Sequence, residues 1–121
     1  MPKVALLIMP KYISTPIHQE AMNRLDYDEC IDGDLIELIL SSEEYKELWD
    51  TQIFKKINNT ISTNIDDYED CSIVNIKELE IIENIVQEQI KITIQGQILL
   101  GKFLYIIKQA IIYKTGVFFF F

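Results

Sequence analysis

The chain contains few of the residues from which catalytic and metal centres are built. Its 121 residues include a single histidine, His18, two cysteines, Cys30 and Cys71, and four scattered glycines. Without a CxxC pair or a Cys/His cluster, neither a zinc site nor a disulfide framework is indicated, and we expect two free thiols in a reducing cytoplasm. A glycine-rich phosphate loop is also missing. His18 is interpreted as a surface residue near the start of a helix.

Long uncharged apolar runs are missing as well. The run at residues 4–9 is shorter than the core of an export signal and is followed by Pro10. The apolar C-terminal third is interrupted by Lys102, Lys108 and Lys114, so no run reaches the roughly 18 residues of a membrane span. We therefore expect a cytoplasmic protein with no membrane partner.

Positive charge is scarce where negative charge is dense. Residues 26–50 carry ten acids and one base, Lys46, and a second acidic run follows at residues 66–70. From residue 90 onward there are four lysines and no acid. The formal net charge is -8. Such a surface repels nucleic acid and attracts basic proteins, so we expect no direct nucleic-acid binding.

The stretch DYDECIDGDLIE, residues 26–37, has the length and end residues of a helix-loop-helix calcium loop but not its interior. Counting from Asp26 puts the glycine at position 8 instead of 6. Counting from Asp28 puts Ile39 where an acid is required. In both registers a cysteine, which is a poor calcium ligand, takes a ligand position. We predict no metal site and no cofactor, and interpret the Asp-Gly pair as a turn.

Apolar spacing predicts the elements of the first half of the chain. Residues 3–9, between two prolines, predict a buried strand, and Thr15-Pro16 predicts the start of a helix over 16–25. Residues 34–40 fit either a strand or one helical turn, because Asp34 and Glu37 have the spacing of a helix cap. Ser41 and Glu44 form a capping box that opens a helix over 42–58. Trp49 is interpreted as a core residue of that helix.

The second half predicts a strand over 72–74, a helix that Asn75 opens and an extended segment over 90–96. A helix over 97–114 follows, ended by Thr115-Gly116 with the glycine left-handed. The closing VFFFF predicts a strand buried on both faces. The expected fold is therefore a single helix-rich α/β (α+β) domain, with helices packed on a small sheet.

Aromatic residues lie within or beside the acidic runs, a combination that suits recognition of a basic protein. Acids steer a basic partner and fix its register, while aromatic side chains supply buried contact area. Simple solvation of an acidic face is the alternative. The candidate binding residues are Asp26, Tyr27, Asp28, Glu29, Asp32, Asp34, Glu43, Glu47, Asp66, Asp67, Tyr68, Glu69 and Asp70. We predict no catalytic residues and expect a protein that is not an enzyme.

Several features together resemble the immunity proteins of bacterial contact-dependent growth inhibition systems. These are the small size, the acidic middle, ten lysines against one arginine, and the closing segment GKFLYIIKQAIIYKTGVFFFF. The resemblance implies a cytoplasmic protein that binds and blocks the C-terminal toxin domain of a delivered effector. Such toxins are frequently basic nucleases. The implied partner is therefore a basic cognate toxin domain, with a free inhibitor that is a monomer or weak homodimer.

Two other hypotheses stay open. A small acidic regulatory or subunit module of another bacterial complex would use the apolar tail and closing helix as an oligomer face. An enzyme that uses clustered carboxylates and a divalent metal is the third hypothesis. The presence or absence of a saturable metal site would separate it from the other two.

Overall fold

The computed structural model describes residues 10–66 and 69–121, and the predicted strand over 3–9 lies outside them. The described residues form four strands and five helices, a small α+β domain as predicted. In chain order they are β1 (Lys11–Pro16), α1 (Gln19–Asp26), β2 (Leu35–Leu40), α2 (Ser42–Asp50), α3 (Ile53–Ile61), β3 (Cys71–Ile73), α4 (Ile76–Ile92), α5 (Gln97–Tyr113) and β4 (Val117–Phe120).

The four strands form one antiparallel sheet in the order β2-β1-β4-β3. Ile13 lies opposite Leu38 on one side and Phe119 on the other, and all three are buried. Because side chains alternate along a strand, these residues define one face of the sheet. We call it the inner face and the opposite one the outer face. Phe118 and Phe120 lie on the outer face and are only half-buried, so the prediction that VFFFF is buried on both faces is wrong.

Helices α2 to α5 lie on the inner side of the sheet: α5 contacts β1, β2 and β4, and α4 packs on α3 and α5. Their buried side chains, including Leu48, Phe54, Leu79 and Phe103, join the inner-face residues in one hydrophobic core. Helix α1 lies on the outer face, where its Ala21 is fully buried but does not belong to that core. The sheet thus separates a four-helix layer from the single helix that leads into the acidic stretch.

Residues Thr15 and Pro16 end β1 and do not start a helix, which corrects the prediction. The Thr15 hydroxyl lies 3.2 Å from the Thr115 hydroxyl, which donates to the Pro16 carbonyl at 2.7 Å. Pairing of Thr15 with Ile36 and of Pro16 with Leu35 in β2, together with the Thr115 hydroxyl, keeps this segment extended. Helix α1 is instead capped by His18, whose Nδ1 accepts from the Ala21 N–H at 3.0 Å, in agreement with its predicted place.

The segment over 34–40, for which the sequence allowed either a strand or a helical turn, forms strand β2. The capping box after it is confirmed: the Ser41 hydroxyl accepts from the Glu44 N–H at 3.1 Å, and Glu44 Oε1 accepts from the Ser41 N–H at 3.0 Å. The single helix predicted over 42–58 is split into α2 and α3. Gln52 takes a left-handed φ of 69° at the break. Buried Gln89 of α4 supports the break by donating from Nε2 to the Thr51 carbonyl at 2.7 Å.

The second half follows the predicted pattern with three shifts. The short strand is one residue earlier than predicted. The extended segment predicted over 90–96 is wrong, because α4 continues to Ile92 and residues 94–96 form a bend and a turn before the next helix. Helix α5 and the Asn75 cap are confirmed, with Asn75 Oδ1 accepting from the Glu78 N–H at 3.2 Å. Lys114, and not Gly116, takes the left-handed position, with φ 56°.

Candidate functional site

Four exposed acids cluster between the end of α1 and β2. We call Asp26, Asp28, Glu29 and Asp32 the loop acids; all are exposed, and Tyr27 among them is 77% exposed. Within residues 10–66 and 69–121, no basic group lies at ion-pair distance from any of them. As far as the described residues show, the loop acids therefore form a negatively charged surface without a paired base, and Tyr27 is exposed among them.

Asp34 is not part of this exposed surface, which corrects its place among the predicted contacts. Its side chain is 4% exposed and forms an ion pair with Arg24. The Ile31 N–H also donates to Asp34 Oδ2, at 3.0 Å. The hydrogen bonds from Arg24 and then from Ile31 lower the Asp34 pKa from 3.8 to about 2. Asp34 is thus a support residue that closes the loop onto α1.

The fold brings the two acidic runs together at one groove. Asp28 and Asp70 both line a groove of about 530 Å³, although 41 residues separate them in the sequence. Its other lining residues include Leu25, Leu35 and Phe120, which form an apolar floor on the outer face of the sheet. Carboxylates around an apolar floor can bind a cationic side chain together with its aliphatic stem.

Cys30 also lines this groove, as a thiol and not as a thiolate. Although Cys30 is exposed, desolvation and then the Asp34 carboxylate raise the pKa of its thiol above the usual range. A raised pKa leaves a thiol weakly nucleophilic. The groove therefore offers charge and apolar surface without a reactive group at Cys30.

The remaining members of the second acidic run differ in their surroundings. Asp66 is half-buried and holds the local turn: its Oδ1 accepts from the Glu69 N–H at 3.2 Å and its Oδ2 from Asn64 Nδ2 at 3.1 Å. Glu69 and Asp70 are exposed. The predicted contacts Asp67 and Tyr68 lie outside the described residues.

A separate acidic surface lies on α2. We call Glu43, Glu47 and Asp50 the helix acids; together with Lys46 and Gln95 they line a groove of about 320 Å³. This groove belongs to the helical layer, whereas the loop acids lie toward the outer face. The predicted acidic surface is therefore two surfaces, joined in the chain by β2.

Trp49 packs against the core, as interpreted from the sequence. Its ring centroid lies 4.8 Å from that of Phe54 and 6.3 Å from that of Tyr45. Among the aromatic candidates that the structure describes, Tyr27 is thus the exposed one that could anchor a partner.

Sequence reasoning missed an apolar groove between β2 and α5. It has a volume of about 620 Å³ and is flanked by Ile39, Ile98 and Tyr105, which are 57%, 78% and 53% exposed. Two signals point to it: β2 reads LIELIL, apolar on both faces, and α5 carries apolar residues outside its core stripe. Isolated exposed apolar residues are common, but a groove lined by several marks an interaction surface.

In the described part of the chain, no group of three or more histidine, cysteine or acidic side chains is arranged to hold a metal ion. None of the described helices has the length and apolar character needed to cross a bilayer. The described surface is suited to recognition: exposed carboxylates attract cationic groups, and the two apolar-lined grooves can bury parts of a partner. No family model, no curated protein and no solved structure matches this chain.

Proposed function

We propose that this protein is an immunity protein, which binds the basic C-terminal toxin domain of a contact-dependent growth inhibition effector and neutralises it without chemistry of its own. The observation that carries the proposal is the convergence of Asp28 and Asp70 at one apolar-floored groove. The two acids come from separate acidic runs, and Tyr27 and three further loop acids lie beside Asp28 in the chain.

The mechanism is electrostatic substitution. A toxin that cleaves nucleic acid holds phosphates in a cationic groove, and carboxylates can occupy the same positions. The loop acids have no described base within ion-pair distance, so their field is available to an approaching basic protein. Acidic steering raises the association rate, and the apolar floor supplies contact area once the partner has docked.

A small acidic subunit or regulatory module is the second candidate. The groove between β2 and α5 favours it, because an apolar surface of this kind also suits a permanent complex. The two candidates differ in their consequence for a cell. Only an immunity protein rescues cells from a specific toxin.

The test is co-purification with a neighbouring gene product. If a large secreted protein is encoded directly upstream, its C-terminal domain is co-expressed with this chain, and growth of the host is followed. We expect a one-to-one complex and rescue of growth, and we expect no rescue from the toxin domain of an unrelated system. A stable complex with a non-toxic partner would support the subunit module instead, and the absence of both complex and rescue would contradict the immunity function.

A further inference from the structure

Strand β2 is an edge of the sheet whose outward hydrogen-bonding groups can be assigned. In the described part of the chain it pairs only with β1. The Ile17 N–H donates to the Asp34 carbonyl at 2.9 Å, just before the strand. Since antiparallel bonds alternate along a strand, Ile36, Leu38 and Leu40 bond toward β1. The N–H and C=O groups of Leu35, Glu37 and Ile39 therefore point away from the sheet.

The groove between β2 and α5 runs beside these outward groups. Its β2 wall is the segment 36–39, and its α5 wall includes Ile98, Gly101, Lys102 and Tyr105. Apart from Gly101 itself, its chain neighbours and the backbone of α5, no described atom lies within 4 Å of where a Cβ on Gly101 would sit, so the middle of the groove is open. An edge with free backbone groups beside an apolar groove is the geometry by which sheets accept an additional strand.

We infer that β2 and α5 together form a strand-addition site, which takes an extended basic segment of the partner protein. The added strand continues the sheet through the outward groups of Leu35, Glu37 and Ile39. Alternate side chains of that strand are apolar and enter the groove toward Ile98 and Tyr105. The others lie on the outer face, where a lysine or arginine stands opposite Glu37.

Glu37 argues against a second copy of this chain as the occupant. In a two-fold symmetric pairing of β2 with itself, full overlap places Glu37 directly opposite Glu37 of the other copy, and like charges opposite one another destabilise a ladder. A shift of two residues relieves the repulsion but gives up part of the pairing. The net charge of -8 adds repulsion between two copies. A partner strand with a base at the central position has neither disadvantage.

The charge around the edge also favours a basic segment. The loop acids lie before Leu35, the helix acids lie after Leu40, and Glu37 is exposed between them. Acids therefore precede and follow the six-residue edge strand in the chain. The inference rests on the proposed function for the basic character of the partner, whereas the groove and the lack of a second strand on β2 are features of residues 10–66 and 69–121.

The test uses two synthetic peptides of about nine residues that alternate threonine and valine. One has lysine at the central threonine position and the other has glutamate, with both ends blocked. Each is titrated into the ¹⁵N-labelled full chain and followed by amide chemical shifts. We expect saturable shifts at residues 35–39 and 98–105, with the lysine peptide binding on the order of fivefold more tightly. Glu37→Lys should reverse the preference.

A matched pair of variants separates the backbone from the side chain. Ile39→Pro removes one outward N–H while keeping the bonds to β1, because proline is tolerated on an edge. Ile39→Thr changes the side chain and keeps the N–H. We expect Ile39→Pro to bind the lysine peptide about fivefold to tenfold more weakly than Ile39→Thr does, because the proline variant loses one hydrogen bond to the peptide. Circular dichroism confirms that both variants are folded.

Three results of the titration would overturn the inference: equal binding of the two peptides, no saturable binding of either, or chemical-shift changes confined to other surfaces. Slow hydrogen exchange of the Glu37 and Ile39 amides in the free chain would also overturn it, because it would show that the edge is already covered.

If light scattering shows a dimer that Ile39→Pro dissociates, the edge binds a second copy of the chain instead. Toxin rescue without selective peptide binding contradicts only the strand-addition site. Selective peptide binding without toxin rescue contradicts only the immunity function.

Discussion

Arg24 and Asp34 form a bidentate ion pair, with Arg24 Nε 2.7 Å from Asp34 Oδ2 and Nη2 2.6 Å from Oδ1. The pair joins α1 to the residue before β2 and closes the loop that carries the loop acids. Both of its hydrogen bonds involve charged groups, and the Asp34 side chain is 4% exposed. The one arginine of the chain thus positions the loop acids, which themselves have no base within ion-pair distance among the described residues.

We predict that Asp34→Asn lowers stability at pH 7 and that the loss disappears in acid. The folded pKa of Asp34 is about 2, below its ordinary 3.8. A depressed pKa contributes stability above pH 4, and this contribution is lost as the pH falls through about 2. Urea midpoints of the two proteins should therefore differ at pH 7 and converge between pH 4 and pH 2. Asp32→Asn, on the exposed loop, is the control and should leave the midpoint unchanged at both ends. If the urea midpoints of the wild type and Asp34→Asn still differ as much at pH 2 as at pH 7, the depressed pKa of Asp34 is not the source of the stability.

If the proposed function holds, charge reversal of two loop acids, Glu29→Lys with Asp32→Lys, should slow association with the proposed toxin domain about tenfold at low salt. Both side chains are exposed, so folding is unaffected, and dissociation should change much less. Stopped-flow kinetics at low and high salt measures both rates.

The matched control reverses Glu80 and Glu88, which are exposed on α4 and change the net charge equally. If the loop variant and the control slow association by the same factor, total charge governs the rate and the loop is not the interface. Unchanged rates for the loop variant would remove the loop acids from the interface altogether.

A glycine-to-alanine substitution should lower the free energy of unfolding at Gly116 and raise it at Gly101. A Cβ on Gly116 would lie 2.8 Å from the Ile73 carbonyl oxygen and 2.7 Å from Val74 Cγ1, so Gly116→Ala should destabilise by about 1–3 kcal/mol. Gly101 lies inside α5, and an added Cβ would meet no side chain or neighbouring element. Because alanine loses less backbone entropy than glycine in a helix, Gly101→Ala should stabilise by about 0.5–1 kcal/mol. Equilibrium urea unfolding measures both, and a stabilising Gly116→Ala would show that β3 and β4 are not in close contact at this point.

Two neighbouring phenylalanines of β4 should differ in their contribution to stability. Phe119 is fully buried, with ring centroids 5.9 Å from Phe54 and 5.9 Å from Phe103, so Phe119→Ala should destabilise by about 3–5 kcal/mol. Phe118 lies half-buried on the outer face, and Phe118→Ala should destabilise by no more than about 2 kcal/mol. Thermal unfolding at matched pH compares them. Equal losses would mean that both faces of β4 are core, as the sequence alone had predicted.

The sequence patterns predicted correctly those elements that depend on contacts between residues close together in the chain. The capping box of Ser41 and Glu44 and the cap at Asn75 depend on hydrogen bonds three residues apart, and α5 depends on an apolar stripe within its own turns. Where a long-range contact competed, the local signal failed. Thr15-Pro16 has the pattern of a helix start, yet pairing with β2 and the Thr115 hydroxyl hold it extended.

The sequence by itself determined the composition of the candidate interface: acids in two runs, little positive charge beside them, Tyr27 among them, and the helix-rich α+β class. Only the tertiary structure decided which of these acids are exposed and which surface lies beside them. Insertion of β4 between β1 and β3 brings Phe120 near Asp28 and Asp70, and Arg24 removes Asp34 from the exposed set. Strand order depends on pairings between residues up to about a hundred positions apart, such as Ile13 with Phe119, and no local window of the sequence records them.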